Sequence, residues 1–125
     1  MGVGFYLVNA TKRERLTFAH INVNTRWEIA GNPVASSMVA WYLLHNLGDV
    51  ISFAPDDASF WPFAALTREE VWDFREVTEE VVRGLIEEGL LIDQGRITFD
   101  PADPDVYTRN LASAWMGCVF PESGD

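Results

Sequence analysis

The stretch Asn32 to Gly48, NPVASSMVAWYLLHNLG, constrains the fold more than any other. Asn32 suits a helix N-cap, Pro33 suits the first turn, and Gly48 suits the end. At helical spacing, Val34, Met38, Trp41, Tyr42 and His45 form one stripe, and Ala35, Val39, Leu43 and Leu47 form another. Two apolar stripes exceed what a helix lying on a surface needs. The pattern therefore predicts a central buried helix over 33–46, covered on most of its girth.

A chain of 125 residues can build one domain around such a helix. Its 48% hydrophobic content supports a packed core rather than disorder. The longest unbroken apolar run, Met38 to Leu44, is far short of a bilayer span. The opening MGVGFYLVNA lacks the basic residues that begin a secretory signal, so a cytoplasmic setting is expected. A lone cysteine, Cys118, forms no internal disulfide and builds no cysteine metal site. The arginine-over-lysine bias, eight to one, suits a protein of a GC-rich bacterial genome.

Charge is unevenly placed. Residues 1–48 hold four Lys/Arg and two acids, whereas residues 49–125 hold five Arg and seventeen acids, for a net −10. Such a surface repels phosphate backbones and acidic membranes and favours basic partners. No duplex DNA, membrane, metal or cofactor is expected as a partner.

The remaining segments read as an α+β domain. Phe5–Val8 and the alternating Arg15–Ile21, with Leu16, Phe18 and His20 on one side, predict an N-terminal β-hairpin within 1–21. Asn22 to Gly31 reads as a loop. Val50–Phe53 reads as a short strand, and residues 54–66 as a long aromatic loop. Thr67 with Glu70 makes a capping box for a helix over Leu66–Phe74, with Leu66 and Val71 as its hydrophobic staple. Val81, Val82, Leu85 and Ile86 predict the buried face of a helix from Thr78 to Glu88. Gly84 inside it suggests close helix contact. Leu90–Ile92 and Arg96–Phe99 around Asp93-Gln-Gly95 predict a second hairpin. Tyr107, Leu111 and Trp115, at i, i+4 and i+8 behind Asp103-Pro104, predict a helix over 103–117, before a loose tail at 120–125. The expected domain thus holds two hairpins, a short strand and about four helices.

The order helix, strand, helix, helix, hairpin over residues 33–100, with VVRGLIEEGLLIDQGRITF at its end, resembles a winged-helix domain. The resemblance implies that Thr78–Glu88 takes the recognition-helix position and Leu90–Phe99 the wing. That helix carries Glu79, Glu80, Glu87 and Glu88 against Arg83, and the turn 93–95 has no basic residue. Phosphate binding needs the reverse, so the analogy is with acidic winged helices that bind proteins.

Catalytic patterns are absent: there is no P-loop, GxGxxG, HExxH or GxSxG. His20 and His45 could meet and bind a metal with Asp49 or Glu28, or serve a pocket with Trp27, but two histidines are more simply hydrogen-bonded structural residues. Ser36-Ser37 suits a close helix approach better than nucleophilic chemistry, and Cys118 has no obvious base. The stronger signal is Phe60-Trp61-Pro62-Phe63, an aromatic loop near acids. Trp61, stiffened by Pro62, would serve as an anchor, with Asp56, Asp57, Glu69, Asp73 and Glu76 as an acidic rim. The function expected is a non-catalytic module presenting this face to a basic protein, as antidote and immunity proteins do. The alternatives are a small ligand-binding domain or enzyme using His20 and His45, and a winged-helix regulator, which the charge opposes.

Overall fold

The computed structural model describes residues 3–115. Its frame is a four-stranded sheet in the order β3-β1-β2-β4. The central strand β1 (Phe5–Asn9) is apolar on both faces and has both faces covered, the burial that such a run dictates. It pairs antiparallel with β2 (Glu14–Leu16), Leu7 opposite Leu16, and with β3 (Ile51–Pro55), Leu7 opposite Phe53. The two-residue strand β4 (Arg75–Glu76) adds in parallel to β2.

Residue parity divides the core in two. Leu7, Leu16, Phe5, Ile51 and Phe53 look to one side and pack with residues of α1 (Arg26–Gly31), α2 (Pro33–His45) and α4 (Thr78–Glu87). Tyr6, Val8 and Ala54 look to the other side. There Phe63, Val71 and Phe74 cover them, helped by Trp61 and Leu66, around the single turn α3 (Arg68–Val71). The molecule is an α+β domain with four helices and six strands among the described residues.

Helix α2 begins as its cap predicts: Asn32 Oδ1 accepts from the amides of Val34 and Ala35 at 2.9 and 3.1 Å. Val34, Ala35, Met38 and Tyr42 are buried against the rest of the core. The expected burial on most of its girth does not occur. Ala40, Leu43 and Leu44 stand exposed on the far side, with Leu47 just past the helix end. Among the described residues no element covers that side. The contact at Gly84 is as close as the sequence suggests: a methyl group built there would lie 2.5 Å from the Trp41 ring.

Further expectations are corrected, and the helix expected over Leu66–Phe74 is only the turn Arg68–Val71. Residues 22–31 are not all loop, since α1 opens at a capping box in which Thr25 and Glu28 exchange side-chain bonds. The second strand stops at Leu16 rather than Ile21. Phe18 and His20 take positive φ of 60° and 64° there, and Thr78 Oγ1 accepts from the amides of Thr17 and Phe18. The two arms of the expected second hairpin are one strand, β5 (Leu91–Thr98), with an irregularity between Asp93 and Arg96 that Gly95 accommodates at φ 99°. Its partner is β6 (Tyr107–Ser113), antiparallel, where a helix over 103–117 was expected. Spacing of four places Tyr107 and Leu111 on one face of a strand as well as of a helix, so their period did not decide between the two. Cys118 and the tail 120–125 lie outside the described residues.

Candidate functional site

The aromatic loop is partly internal. Trp61 is half-buried in the second core, edge-on to Phe63 at 5.8 Å between ring centres. Its indole N–H donates to the Leu66 carbonyl at 2.8 Å, and the Arg68 guanidinium lies over its ring at 4.8 Å. Arg68 in turn donates to the carbonyls of Pro55 and Asp57, which ties Asp57 to Trp61. The donor and one face of Trp61 are therefore engaged within the chain.

The predicted acids divide by role. Asp56 accepts from the Gly4 amide at 3.2 Å and helps close the end of the β1–β3 pair. The Asp57 carboxylate accepts from the Ser59 side chain and amide, which hold it below the usual carboxylate range. Glu76 is turned toward the β2–α4 junction, where it accepts from the Thr78 amide at 2.6 Å and from the Thr17 hydroxyl. Glu69 and Asp73 are exposed, and their carboxylates make no ion pair among the described residues.

The exposed rings of this layer are Phe60, 64% accessible, and Trp72, 56% accessible. Trp72 rests on Tyr6 at 6.4 Å and beside the Arg15 guanidinium at 5.8 Å. It follows buried Val71 by one helical step, which turns it outward while Val71 and Phe74 enter the core. The sequence pattern singles out Trp61 rather than Trp72. The available signal was that Val71 already takes the inward position through its staple with Leu66.

The histidines serve separate elements. His20 stacks on Tyr107 at 3.8 Å, with Nδ1 3.0 Å from the Tyr107 carbonyl. His45 stacks on Trp41 at 3.9 Å, with Nδ1 2.8 Å from the Trp41 carbonyl and Nε2 3.8 Å from Glu88. Asp49 accepts from Asn9 at 2.8 Å and Lys12 at 2.6 Å, and Glu28 closes the α1 capping box. Ser37 and Ser36 donate their hydroxyls to backbone carbonyls one turn back. Among the described residues, no three His, Cys, Asp or Glu are grouped to hold a metal ion.

A second surface lies at the uncovered side of α2. A cavity of about 530 Å³ is lined by Phe5, Ile29, Val39, Ala40, Leu43 and Phe53, with Arg26 as its charged lining residue. Leu44 and Leu47, 67% and 78% accessible, continue the apolar surface beyond it. Next to the cavity, β3 is an edge of the sheet with no further strand paired to it among the described residues. The amide of Asp56 donates to Gly4 and that of Ala10 to the Val50 carbonyl, both at 2.8 Å. Antiparallel alternation then gives the even-numbered residues of β3 to β1 and turns the peptide groups of Ile51 and Phe53 outward.

No protein-family model matches the chain, and neither a curated protein nor a solved structure matches it.

Proposed function

We propose that this chain is a non-catalytic protein-binding module that turns an acidic, aromatic surface to a basic protein, as antidote and immunity proteins do. The observation that carries the reading is Trp72 and Phe60, exposed in the layer that also bears Asp57, Glu69 and Asp73. A half-exposed indole supplies a rigid apolar contact with a polar edge. The carboxylates of Glu69 and Asp73, which make no ion pair among the described residues, raise the rate of encounter with a positive surface and disfavour a negative one. Trp72 takes over the anchoring role first assigned to Trp61, whose ring works as a lid on the second core. On the winged-helix-like reading, α4 with its exposed Glu79, Glu80 and Glu87 also suits a protein partner better than a nucleic acid.

The test is affinity capture from native cell extract at low and high salt. Wild type, Trp72→Ala, and Glu69→Lys with Asp73→Lys are compared after circular dichroism shows each to be folded. A basic protein retained by the wild type at low salt and lost with either variant is the expected result. Identical captures by all three chains would sink the proposal.

A further inference from the structure

We propose that two copies of this chain associate through the open edge of β3 and the exposed side of α2, across a two-fold axis passing beside Ser52. Charge argues for a second copy as the occupant. The chain carries a net −10, yet neither α2 nor β3 contains a single Asp, Glu, Lys or Arg. Bringing this face against itself sets no acids of these elements opposite one another. A basic protein would find nothing there to pair with, since the charged residue lining the cavity is Arg26. A two-fold contact uses the same patch on both chains, which an uncharged apolar face satisfies.

Backbone geometry fixes the register. The outward peptide groups belong to Ile51 and Phe53. Pairing Ile51 of one copy with Phe53 of the other, and the reverse, brings together the N–H and C=O groups of both. The hydroxyl of Ser52, which donates to the Phe53 carbonyl at 3.0 Å, leaves that oxygen a second lone pair. Ser52 then lies opposite its own copy in a non-hydrogen-bonded pair. The ladder ends where it must. Pro55 has no N–H, its carbonyl is taken by Arg68, and the Asp49 amide already donates to Asn46. On the α2 side of the sheet, Ile51 and Phe53 of the two copies become cross-strand neighbours. Leu43 and the cavity beside it lie against the same seam. The edge itself has no lysine or inward charge of the sort that keeps sheet edges apart.

The proposal concerns a different surface from the basic-partner reading, and the experiment separates the two. Sedimentation of the full chain over a concentration series should give twice the chain mass at high micromolar concentration. Leu43→Glu with Leu47→Glu, both at exposed positions, should sediment as a monomer with unchanged circular dichroism. In a Cys118→Ser background, Ser52→Cys should form a covalent dimer on mild oxidation, because opposed residues in such a pair have Cα atoms about 4.5 Å apart, within disulfide reach. Ser59→Cys in the same background should not. Trp72→Ala and Glu69→Lys with Asp73→Lys should dimerise like the wild type. The proposal is overturned by a wild type that stays monomeric, which would leave the face to a different protein. A dimer indifferent to the two glutamates, or one that Ser52→Cys does not cross-link, also overturns it.

Discussion

At Gly84 a missing methyl group lets two helices touch. Alanine in a helix interior is ordinarily better than glycine by about 1 kcal/mol. Here its Cβ would sit 2.5 Å from Trp41, whose ring has little freedom to retreat. The indole N–H donates to Glu88 at 2.9 Å and the ring stacks on His45. Gly84→Ala should therefore destabilise the fold by about 1–3 kcal/mol, the cost of overpacking. In a Trp41→Ala background the same change should become neutral or stabilising. Urea unfolding of the four chains gives the coupling, and additive effects would show that the contact is not as close as described.

Asn9 offers a second test at this scale. Its buried amide donates to the Tyr42 hydroxyl at 3.1 Å and to Asp49 at 2.8 Å, while its oxygen accepts from the Lys12 amide. Burial, and then the bond to Glu14, push the Tyr42 hydroxyl well above its usual range. The bond from Asn9, and then that from Lys12, hold Asp49 below the ordinary carboxylate range. A lowered acid contributes stability above its unfolded value near 4, and loses it as pH falls through the folded value. A raised phenol contributes below its unfolded value near 10 and loses it as pH rises. Asn9→Leu should cost about 2 kcal/mol near neutral pH by leaving buried partners unsatisfied. It should also flatten the acid limb of the stability curve, measured by urea unfolding across pH. An unchanged acid limb would remove Asp49 from the network.

At the scale of elements, what was legible in the sequence had a local cause. Asn32-Pro33 starts α2, and Thr67 with Glu70 starts α3, because the bonds that cap a helix lie within four residues of it. Thr67→Ala should lower stability by about 1 kcal/mol and Thr67→Ser should restore most of it. Equal midpoints for the two variants in urea would show that the cap is idle. What was not legible depended on pairing at long range. Helix α1 has six residues, too few for a period, and only Thr25 with Glu28 marked it. Tyr107 and Leu111 suit either a helix or a strand, and β5 alone decides for the strand. Asp93-Gln94-Gly95 has turn composition, yet its glycine and its Asp93–Gly95 bond serve an irregularity within a strand. The candidate surface was legible as an aromatic loop beside acids. The outward turn of Trp72 beside that loop was marked only by the Leu66–Val71 staple, and it became plain once Val71 and Phe74 filled the second core. Nor does an apolar stripe on α2 say whether it meets the protein's own core or a second chain.

Across the whole molecule, where the cations are spent matters more than how many there are. Lys12 is bonded to Asp49 and Asn46, Arg13 lies over Phe74, and Arg15 donates to the Phe74 carbonyl. Arg75 pairs with Glu14 and Glu80, and Arg109 with Glu79 and Asp93. Arg68 and Arg96 lie over Trp61 and Tyr107. Lys12, Arg13 and Arg15, clustered at the β1–β2 turn, are thus engaged by the chain's own Asp49, Phe74 ring and Phe74 carbonyl. From Glu69 to Asp93 there are nine acids and two arginines, so α4, in the position a winged-helix reading gives to recognition, presents a negative face. Binding to duplex DNA draws its affinity from neutralised phosphates and weakens by about 0.9 log units per contact for each tenfold rise in salt. This chain has few free cations to supply that term and many acids to oppose it. A gel shift with duplex DNA at physiological salt should show no complex at micromolar protein, and lowering the salt should not produce one. A shift at micromolar or tighter affinity that weakens with salt would mean that these internal pairs open on contact, and it would restore the regulator reading.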